Sequence, residues 1–450
     1  MRLAIWSPLP PARSGIADHT AELLPALARR VELVAVVENV DAVEREAVGE
    51  VPLVQAPAPG APFPADADLH LYQIGNSPAH VFAYRAACAR PGVVVLHEWA
   101  LHDLVWREAV ERGDVASYLR AMRRSHGEEG SFVGRQVARG LGGVLLPSLF
   151  PANDLLLHGS LALVCLTRAA VRAAARRRPG VPLLHLPQHV ALPPGVPQSR
   201  RAARHALGLP EEASIVTVPG LATSAKGLHA LVRATAALRT RRPGVRLVVA
   251  GEVEPGLPLA SWAREAGLGE ALLVTGRLPL RELVSHLVAA DVVAALRFPS
   301  HGEISGVLLR ALGVGRPALV TAATPAAEEF PEGVVVPVDP GAREDAELEA
   351  FLDLLVSRPR FAETIGRLAR AHVREHHALD TVADRLAAFL IEVHARRDDL
   401  AAAVADESAE ADTLYGYLSE EIRRAARELG VGGVRLGLAP LLRPLAEGRA

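Results

Sequence analysis

Short apolar runs alternate with longer segments in which apolar positions recur every three or four residues. This alternation is typical of parallel strands connected by helices, so it predicts an α/β protein. About a dozen runs have strand character, which is too many for one ordinary doubly wound sheet and favours two. The predicted strands are 3–6, 31–37, 69–73, 93–96, 161–166, 183–186, 214–218, 246–250, 272–274, 292–296, 318–321 and 333–336.

A proline-rich segment marks a domain boundary. The segment ALPPGVPQ at 191–198 holds three prolines, and it predicts a linker over 191–205. We expect a Rossmann-like domain at 1–190 and a second at 206–375. Ligands of such sheets bind beyond the carboxyl ends of the strands, so two facing domains would enclose a cleft.

The C-terminal part of the chain has a different pattern. Residues 362–395 predict long helix, and we expect 376–395 to pack back on the first domain. Residues 396–450 predict a helical extension, with a helix around 413–429, whose role the sequence does not assign. An added arm or an oligomer contact is our interpretation of this extension.

The basic residues are almost all arginine. Of the 49 lysines and arginines among 450 residues, only Lys226 is lysine. Gly227 follows it, so the chain has no P-loop, and covalent lysine chemistry would have to use this one residue. The net charge of −2 argues against a general nucleic-acid binder. Cys88 and Cys165 stand far apart and form no CxxC motif, which argues against a disulfide framework or a zinc ribbon.

No uninterrupted apolar stretch is long enough to span a membrane. The best one, 141–166, is broken by Pro147, Pro151 and several polar residues. We therefore expect a cytoplasmic protein, with a peripheral contact at the inner membrane face as a further interpretation. The run RRR at 176–178 is either a solvated helix end or a contact for anionic lipid head groups.

Two strand-to-helix loops are candidate anion sites. The loop 7–18 runs from the first strand into a helix near Gly15, where backbone N–H groups could approach an anion. An ordinary connecting turn is the alternative. In the second loop, Lys226 and Gly227 open an amphipathic helix after the strand 214–218. A lysine ammonium there could bind a diphosphate, and the alternative of a solvated lysine is weakened because arginine serves elsewhere.

A third loop gathers polar groups after the strand 292–296. It carries Arg297 and Glu303, and a helix begins near Ser305 and Gly306. A carboxylate there could bind sugar hydroxyls beside backbone N–H groups that bind phosphate. A helix-capping role is the alternative for Ser305.

A fourth motif, GVVVLHEWALHD at 92–103, is similar to a zinc motif but departs from it. HExxH needs its second histidine where Leu101 stands. Because His97 directly follows a strand, we expect it to point into the cleft, although a structural role is the alternative. The segment QIGNS at 73–77 also follows a strand and is expected to line the same cleft.

Together these motifs resemble the group-1, glycogen-synthase-like glycosyltransferases of GT-B fold, the family-4 class of retaining enzymes. The resemblance covers about residues 1–395. Three pieces carry it: SGIAD at 14–18, KG at 226–227, and GEISG at 302–306 followed by RALGVGRP at 310–317. The segments RFPS at 297–300 and VLHE at 95–98 are similar to the bacterial subset.

The resemblance implies a nucleotide-diphosphate sugar, linked to UDP or GDP, bound mainly by the second domain. Lys226 would hold the diphosphate, and Gly15 would bring backbone against the donor phosphate. His97 would approach the transferring sugar, and Glu303 would accept hydrogen bonds from the hydroxyl groups of that sugar. The donor-binding set implied is Gly15, Lys226, Arg297, Ser305, Gly306 and Val307.

The family transfers sugar with retention of configuration through an oxocarbenium-like state, and the fold type requires no metal or other cofactor. The acceptor would be a glycan or a lipid-linked molecule in the synthesis of cell-surface polysaccharide or glycoconjugate. Asp18, Gln73 and Asn76 are the candidate acceptor or cleft residues.

Two departures from the family pattern stand out. Arg310 precedes Ala311 where the family has a second Glu that binds the nucleotide ribose, and Leu221 stands where the family often has Arg. Our hypothesis is that Arg297 supplies that positive charge. The missing Glu also motivates an alternative, a catalytically silent nucleotide-sugar binder that acts as an assembly partner. A GT-B epimerase or phosphorylase is a more remote one.

Overall fold

The computed structural model describes residues 1–58, 61, 63, 67–411, 422 and 425. Within this part of the chain, 13 strands form two sheets in which all strand pairs are parallel. The first sheet contains β1 Arg2–Trp6, β2 Glu32–Val37, β3 Leu53–Gln55, β4 Leu69–Ile74, β5 Val93–Leu96, β6 Ala162–Cys165 and β7 Leu183–His185. The second contains β8 Ser214–Pro219, β9 Val245–Ala250, β10 Leu272–Val274, β11 Val292–Ala294, β12 Ala318–Thr321 and β13 Val336–Val338.

Helices connect the strands and cover both faces of each sheet. Those that accompany the first sheet are α1 Gly15–Ala28, α2 Arg45–Val48, α3 Val81–Ala89, α4 His102–Glu111, α5 Val115–Ala138, α6 Leu146–Leu149, α7 Asp154–Gly159 and α8 Arg168–Arg177. Those that accompany the second sheet are α9 Arg200–Ala206, α10 Leu228–Arg241, α11 Leu259–Glu265, α12 Leu280–Ala289, α13 Gly306–Gly313, α14 Pro325–Glu328, α15 Glu344–Ser357 and α16 Pro359–His376. The chain continues with α17 Leu379–Ala395 and α18 Arg397–Ala411.

Strand order fixes where each sheet can bind a ligand. The first sheet has the order β3-β2-β1-β4-β5-β6-β7, and the second has β10-β9-β8-β11-β12-β13. The direction of winding therefore reverses between β1 and β4 and again between β8 and β11. At such a point the loops after two adjacent strands diverge to opposite faces and leave a crevice.

The predicted α/β class and the two sheets are confirmed, and the strand predictions differ from the structure in detail. The sequence analysis missed β3, a three-residue edge strand whose residues are only partly buried or exposed. The last predicted strand, 333–336, overlaps β13 only at Val336. Both errors concern short strands at a sheet edge, where burial on two faces does not impose a continuous apolar run.

The long helix predicted at 362–395 is two helices. α16 ends at His376 and α17 begins at Leu379. Between them, the His377 ring nitrogen Nδ1 lies 2.6 Å from the Gln188 carbonyl oxygen, and the Val190 amide donates to the His377 carbonyl. These bonds tie the break to the chain that crosses between the sheets.

The break sends α17 back to the first sheet. Leu386 and Leu390 of α17 lie in the same buried cluster as Leu3 and Leu24. Asp380 and Asp384 make ion pairs with Arg29 and Arg30 at the end of α1. α18 follows, and its Val404 joins the same cluster. The helix predicted at 413–429 and the remainder to 450 lie outside the described residues, apart from residues 422 and 425.

Candidate functional site

The site of the second domain begins at Lys226, in the loop after β8. The residue ends a 3₁₀ turn, and Gly227 then takes a left-handed conformation (φ 59°) from which α10 starts. The Lys226 side chain is 9% exposed, and its Nζ donates to the carbonyl oxygen of Pro219 at the end of β8. Burial, with a further contribution from Arg297, lowers the pKa of Lys226 from 10.5 to about 7. The solvated-lysine alternative does not describe this environment.

Arg297 and Glu303 meet in the loop after β11. Arg297 Nη1 lies 2.9 Å from Glu303 Oε1. The other carboxylate oxygen accepts from the His301 amide at 2.7 Å and from the Ser300 hydroxyl at 3.1 Å. The Phe298 amide donates to the Ala225 carbonyl, which joins this loop to the lysine loop. Lys226, Arg297 and Glu303 therefore share one crevice, between β8 and β11.

The N-terminus of α13 closes the same crevice. Ser305 occupies the cap position with extended backbone, but its hydroxyl makes no capping hydrogen bond. The amides that follow, from Gly306 and Val307, belong to the first turn and lack acceptors within the helix. A Cβ on Gly306 would lie 3.2 Å from both Arg310 Nη1 and Gln188 Nε2, so glycine leaves room beside the helix end.

The first domain places Gly15 at the start of α1, after β1. The Ser14 hydroxyl caps the helix by accepting from the Ile16 amide. Gly15 is exposed, and no atom lies within 4 Å of the position that a Cβ would take. The helix end is thus open to solvent, as the predicted contact with a donor phosphate requires.

His97 lies at the end of β5 but is buried. Its Nε2 lies 2.6 Å from Gln73 Oε1, and burial together with nearby histidines lowers its pKa to about 3. The ring is therefore neutral, with the Nε2 proton donated to the glutamine. Its neighbours include His19, whose ring packs edge-on at 5.0 Å.

The three candidate cleft residues have different surroundings. Gln73 is buried and holds His97. Asn76 donates to Asp103 Oδ2 and accepts from the Leu104 amide, so its side chain fixes the start of α4. Asp18 is exposed on α1.

Arg310, the residue at the missing-Glu position, makes an ion pair between the two domains. The residue is 8% exposed, and its Nη2 lies 2.5 Å from Glu22 Oε1 on α1. Its Nη1 donates to the Gly306 carbonyl one turn earlier on α13. The second Glu22 oxygen lies 3.4 Å from His189 Nε2. Arginine at this position thus joins the two domains beside the end of α13.

The loop after β5 docks directly on the loop that carries Glu303. The amides of Trp99 and Ala100 both donate to the His301 carbonyl, at 2.8 and 2.9 Å. Gly302 has a φ of 92°, and a Cβ there would lie 2.5 Å from Trp99 Cβ, so only glycine fits. The two loops form one wall of the cleft.

Glu98 is a site residue that the sequence analysis did not select. Burial raises its pKa to about 7, and the charge of Glu303 adds to the effect. A carboxyl from each domain therefore faces the same space. Its position directly after His97, in a motif already singled out, was the available signal.

Metal-ligand geometry is not seen in the described part of the chain. Among those residues, no group of three His, Cys, Asp or Glu side chains could hold a metal ion.

Comparison with known proteins identifies relatives for part of the chain. The family described as "Glycosyl transferases group 1" matches residues 199–372. A D-inositol 3-phosphate glycosyltransferase of Saccharomonospora viridis is 36% identical over 197 residues, which cover 40% of this chain and 43% of that protein. A GDP-mannose-dependent alpha-(1-6)-phosphatidylinositol monomannoside mannosyltransferase of Mycobacterium tuberculosis is 30% identical over 223 residues, 47% of this chain and 56% of that protein. The matches thus span about half the length of these curated relatives.

A solved structure is similar over nearly the whole fold. HepE of Anabaena, in complex with UDP and glucose, aligns with a TM-score of 0.59 over 87% of this chain and 100% of that one, at 16% identity. At this identity the likeness concerns the fold. Residues 199–372 therefore match the group 1 glycosyl transferase family, and the chain as a whole has the GT-B fold of two parallel sheets.

Proposed function

We propose that this protein transfers a sugar from a nucleotide-diphosphate donor to a glycan or lipid-linked acceptor, with retention of configuration. The observation that carries the proposal is the convergence of Lys226, Arg297, Glu303 and the end of α13 at the crevice between β8 and β11. These groups provide cations, free amides and a carboxylate, which together match a diphosphate joined to a sugar.

Donor binding follows from the charges. A nucleotide-diphosphate sugar brings two negative charges, and the crevice offers Lys226, Arg297 and the positive end of the α13 dipole. With a pKa of about 7, Lys226 takes up a proton when the diphosphate arrives. Arg297 then provides the positive charge that Leu221 does not. The backbone amides of Ser305, Gly306 and Val307 donate hydrogen bonds to phosphate oxygens, and Gly15 approaches from the facing helix.

The reaction uses the carboxylate and the histidine around the sugar. Glu303 is held by His301 and Ser300, so its oxygens are oriented before the donor binds. It accepts hydrogen bonds from hydroxyls of the transferring sugar. His97, which is neutral and bonded to Gln73, approaches the same sugar. The leaving diphosphate assists deprotonation of the acceptor hydroxyl on the same face, which retains the configuration.

The choice of donor and acceptor classes rests on the relatives. Their names include GDP-mannose as donor and inositol phosphate and phosphatidylinositol mannoside as acceptors. HepE is described with UDP-glucose. We propose a UDP- or GDP-linked sugar here, and Asp18 as the exposed first-domain residue that meets the acceptor.

The first experiment is a thermal-shift screen of the full chain against UDP-, GDP- and ADP-sugars. A donor present at about 100 times its dissociation constant adds about 2.7 kcal/mol to the unfolding free energy. The selected donor then enters a transfer assay with an acceptor panel, in the presence and absence of EDTA, and NMR of the product reports the anomeric configuration. We expect transfer with retention, unaffected by EDTA and abolished in Lys226→Ala. Full activity in that variant would contradict the assigned site.

A second candidate function is favoured by one observation. Arg310 occupies a position where the resembled family has a carboxylate, and it pairs with Glu22. A catalytically silent nucleotide-sugar binder that serves as an assembly partner would tolerate this change. Donor binding without hydrolysis or transfer across the acceptor panel would support that function over the first.

A further inference from the structure

Residues 139–149, the apolar loop, expose an unusual density of large apolar side chains. Leu141, Val144, Leu145 and Leu149 are 61%, 70%, 47% and 65% exposed. Single exposed apolar residues are normal on protein surfaces, but several adjacent ones mark an interaction site. Phe132, on the preceding helix α5, is 59% exposed as well.

The stretch of sequence that contains the apolar loop carries charge of one sign. No Asp or Glu stands between Glu129 and Asp154, whereas Arg135 and Arg139 lie there and are exposed. An apolar segment that includes exposed arginines and contains no acidic residue is complementary to an anionic lipid surface. Such a segment is less suited to a hydrated protein interface or to one held by salt bridges between acidic and basic residues.

The apolar loop is held in place beside the cleft. Pro147 is buried in α6, and the Ser148 hydroxyl donates to the Ser300 carbonyl of the other domain at 2.9 Å. Just beyond the loop, the Pro151 carbonyl accepts from the Leu101 amide. The exposed side chains thus stand at the mouth of the cleft, near the loop that carries Glu303.

The basic run at 176–178 does not offer a comparable surface. Arg177 makes an ion pair with Asp154, and Arg178 is buried, where it donates to the carbonyl oxygens of Leu157 and Ser160. Two of the three arginines in that run are therefore already paired within the first domain.

We propose that the apolar loop docks on the surface of an anionic lipid bilayer. Leu141, Val144 and Leu149 enter the interfacial region, while Arg135 and Arg139 contact head groups. The contact that we propose is peripheral. No helix in the described part of the chain is long and apolar enough to cross a bilayer. The docking is independent of the proposed reaction. If that reaction holds, the cleft faces the membrane and its acceptor reaches Glu303 from the lipid side.

The test is vesicle co-sedimentation of the full chain. Vesicles of phosphatidylcholine alone are compared with vesicles that also contain phosphatidylglycerol. The test variant combines Leu141→Ser, Val144→Ser and Leu149→Ser. The matched control combines Phe361→Ser and Ile391→Ser, which are 46% and 52% exposed on α16 and α17. Circular dichroism and the melting temperature show whether each variant is folded.

We expect wild type and control to bind the anionic vesicles, and the test variant to bind with a partition coefficient lowered about tenfold or more. Arg135→Glu with Arg139→Glu should weaken binding to anionic vesicles and lose the salt dependence. Absence of wild-type binding, or equal binding by the folded test variant, would overturn the proposal. Light scattering tests the alternative that this surface joins two copies of the chain. A dimer formed by the wild type but not by the test variant would overturn the membrane proposal.

Discussion

Replacing Lys226 by methionine isolates the charge at the centre of the site. Methionine has a similar straight side chain but carries no proton and cannot donate to a diphosphate. A hydrogen bond between charged groups contributes about 1.5–3 kcal/mol. We therefore expect the donor dissociation constant to rise by about 10- to 150-fold. Lys226→Arg keeps a charge without a titration near neutral pH and serves as the control.

The pH dependence gives a sharper signature. In the free protein the pKa of Lys226 is about 7, while the diphosphate-bound lysine is protonated. Binding above pH 7 must therefore take up a proton, and wild-type affinity should fall by up to about tenfold per pH unit in that range. Below pH 7 the affinity should be constant with respect to this group. The methionine and arginine variants should lack the slope.

Calorimetry measures both effects. Titrations at one pH in two buffers of different ionisation enthalpy report the protons taken up per donor bound. A Lys226→Met variant with unchanged affinity, or with the wild-type pH slope, would refute the reasoning.

Stability provides an independent check on burial. The folded pKa of Lys226 lies below its ordinary value of 10.5, so between about pH 7 and 10.5 the unfolded chain binds more protons. Ligand-free wild type should therefore gain stability relative to Lys226→Met as the pH rises through this window.

Three further outcomes follow from the site. Arg297→Ala should weaken donor binding by about 1.5–3 kcal/mol, because a charged contact is lost, and unchanged affinity in calorimetry would exclude its donor role. Glu98→Gln should remove a carboxyl whose pKa is about 7 in the folded protein, above its ordinary value of 4.5. Wild-type stability in denaturant titrations should then fall relative to this variant between pH 4.5 and 7, and a parallel pH dependence would contradict the buried carboxyl. Arg310→Met should lower the unfolding free energy by about 3 kcal/mol by leaving Glu22 unpaired, and adding Glu22→Gln should recover part of the loss. Additive losses in melting experiments would show that the two residues are not coupled.

The sequence located the loops of the site because of how parallel sheets are built. Strands buried on both faces must be continuous apolar runs, so their ends are visible in the sequence. Lys226, Arg297 and Glu303 could be selected because they follow such ends, and β8 and β11 lie side by side. β3 was not predicted because an edge strand of three residues, none of them fully buried, does not form a continuous apolar run.

Contacts between the domains could not be predicted in the same way. Arg310 and Glu22 are 288 residues apart, and no local pattern pairs them. Burial raises the pKa of Glu98, and the charge of Glu303 from the other domain raises it further. The packing of one domain on the other decides which charges meet, and this depends on the shapes of both surfaces.

The exposure of the apolar loop could not be predicted from the sequence either. In the sequence, 141–149 belongs to the most apolar stretch of the chain, a property that buried and exposed segments share. Local composition sets how much a side chain gains by leaving water, and it therefore determined the strands, the helices and the loops with chemistry. Whether a neighbouring surface is available to bury that side chain is decided only by tertiary structure, and for Leu141, Val144 and Leu149 no described surface of the chain covers them.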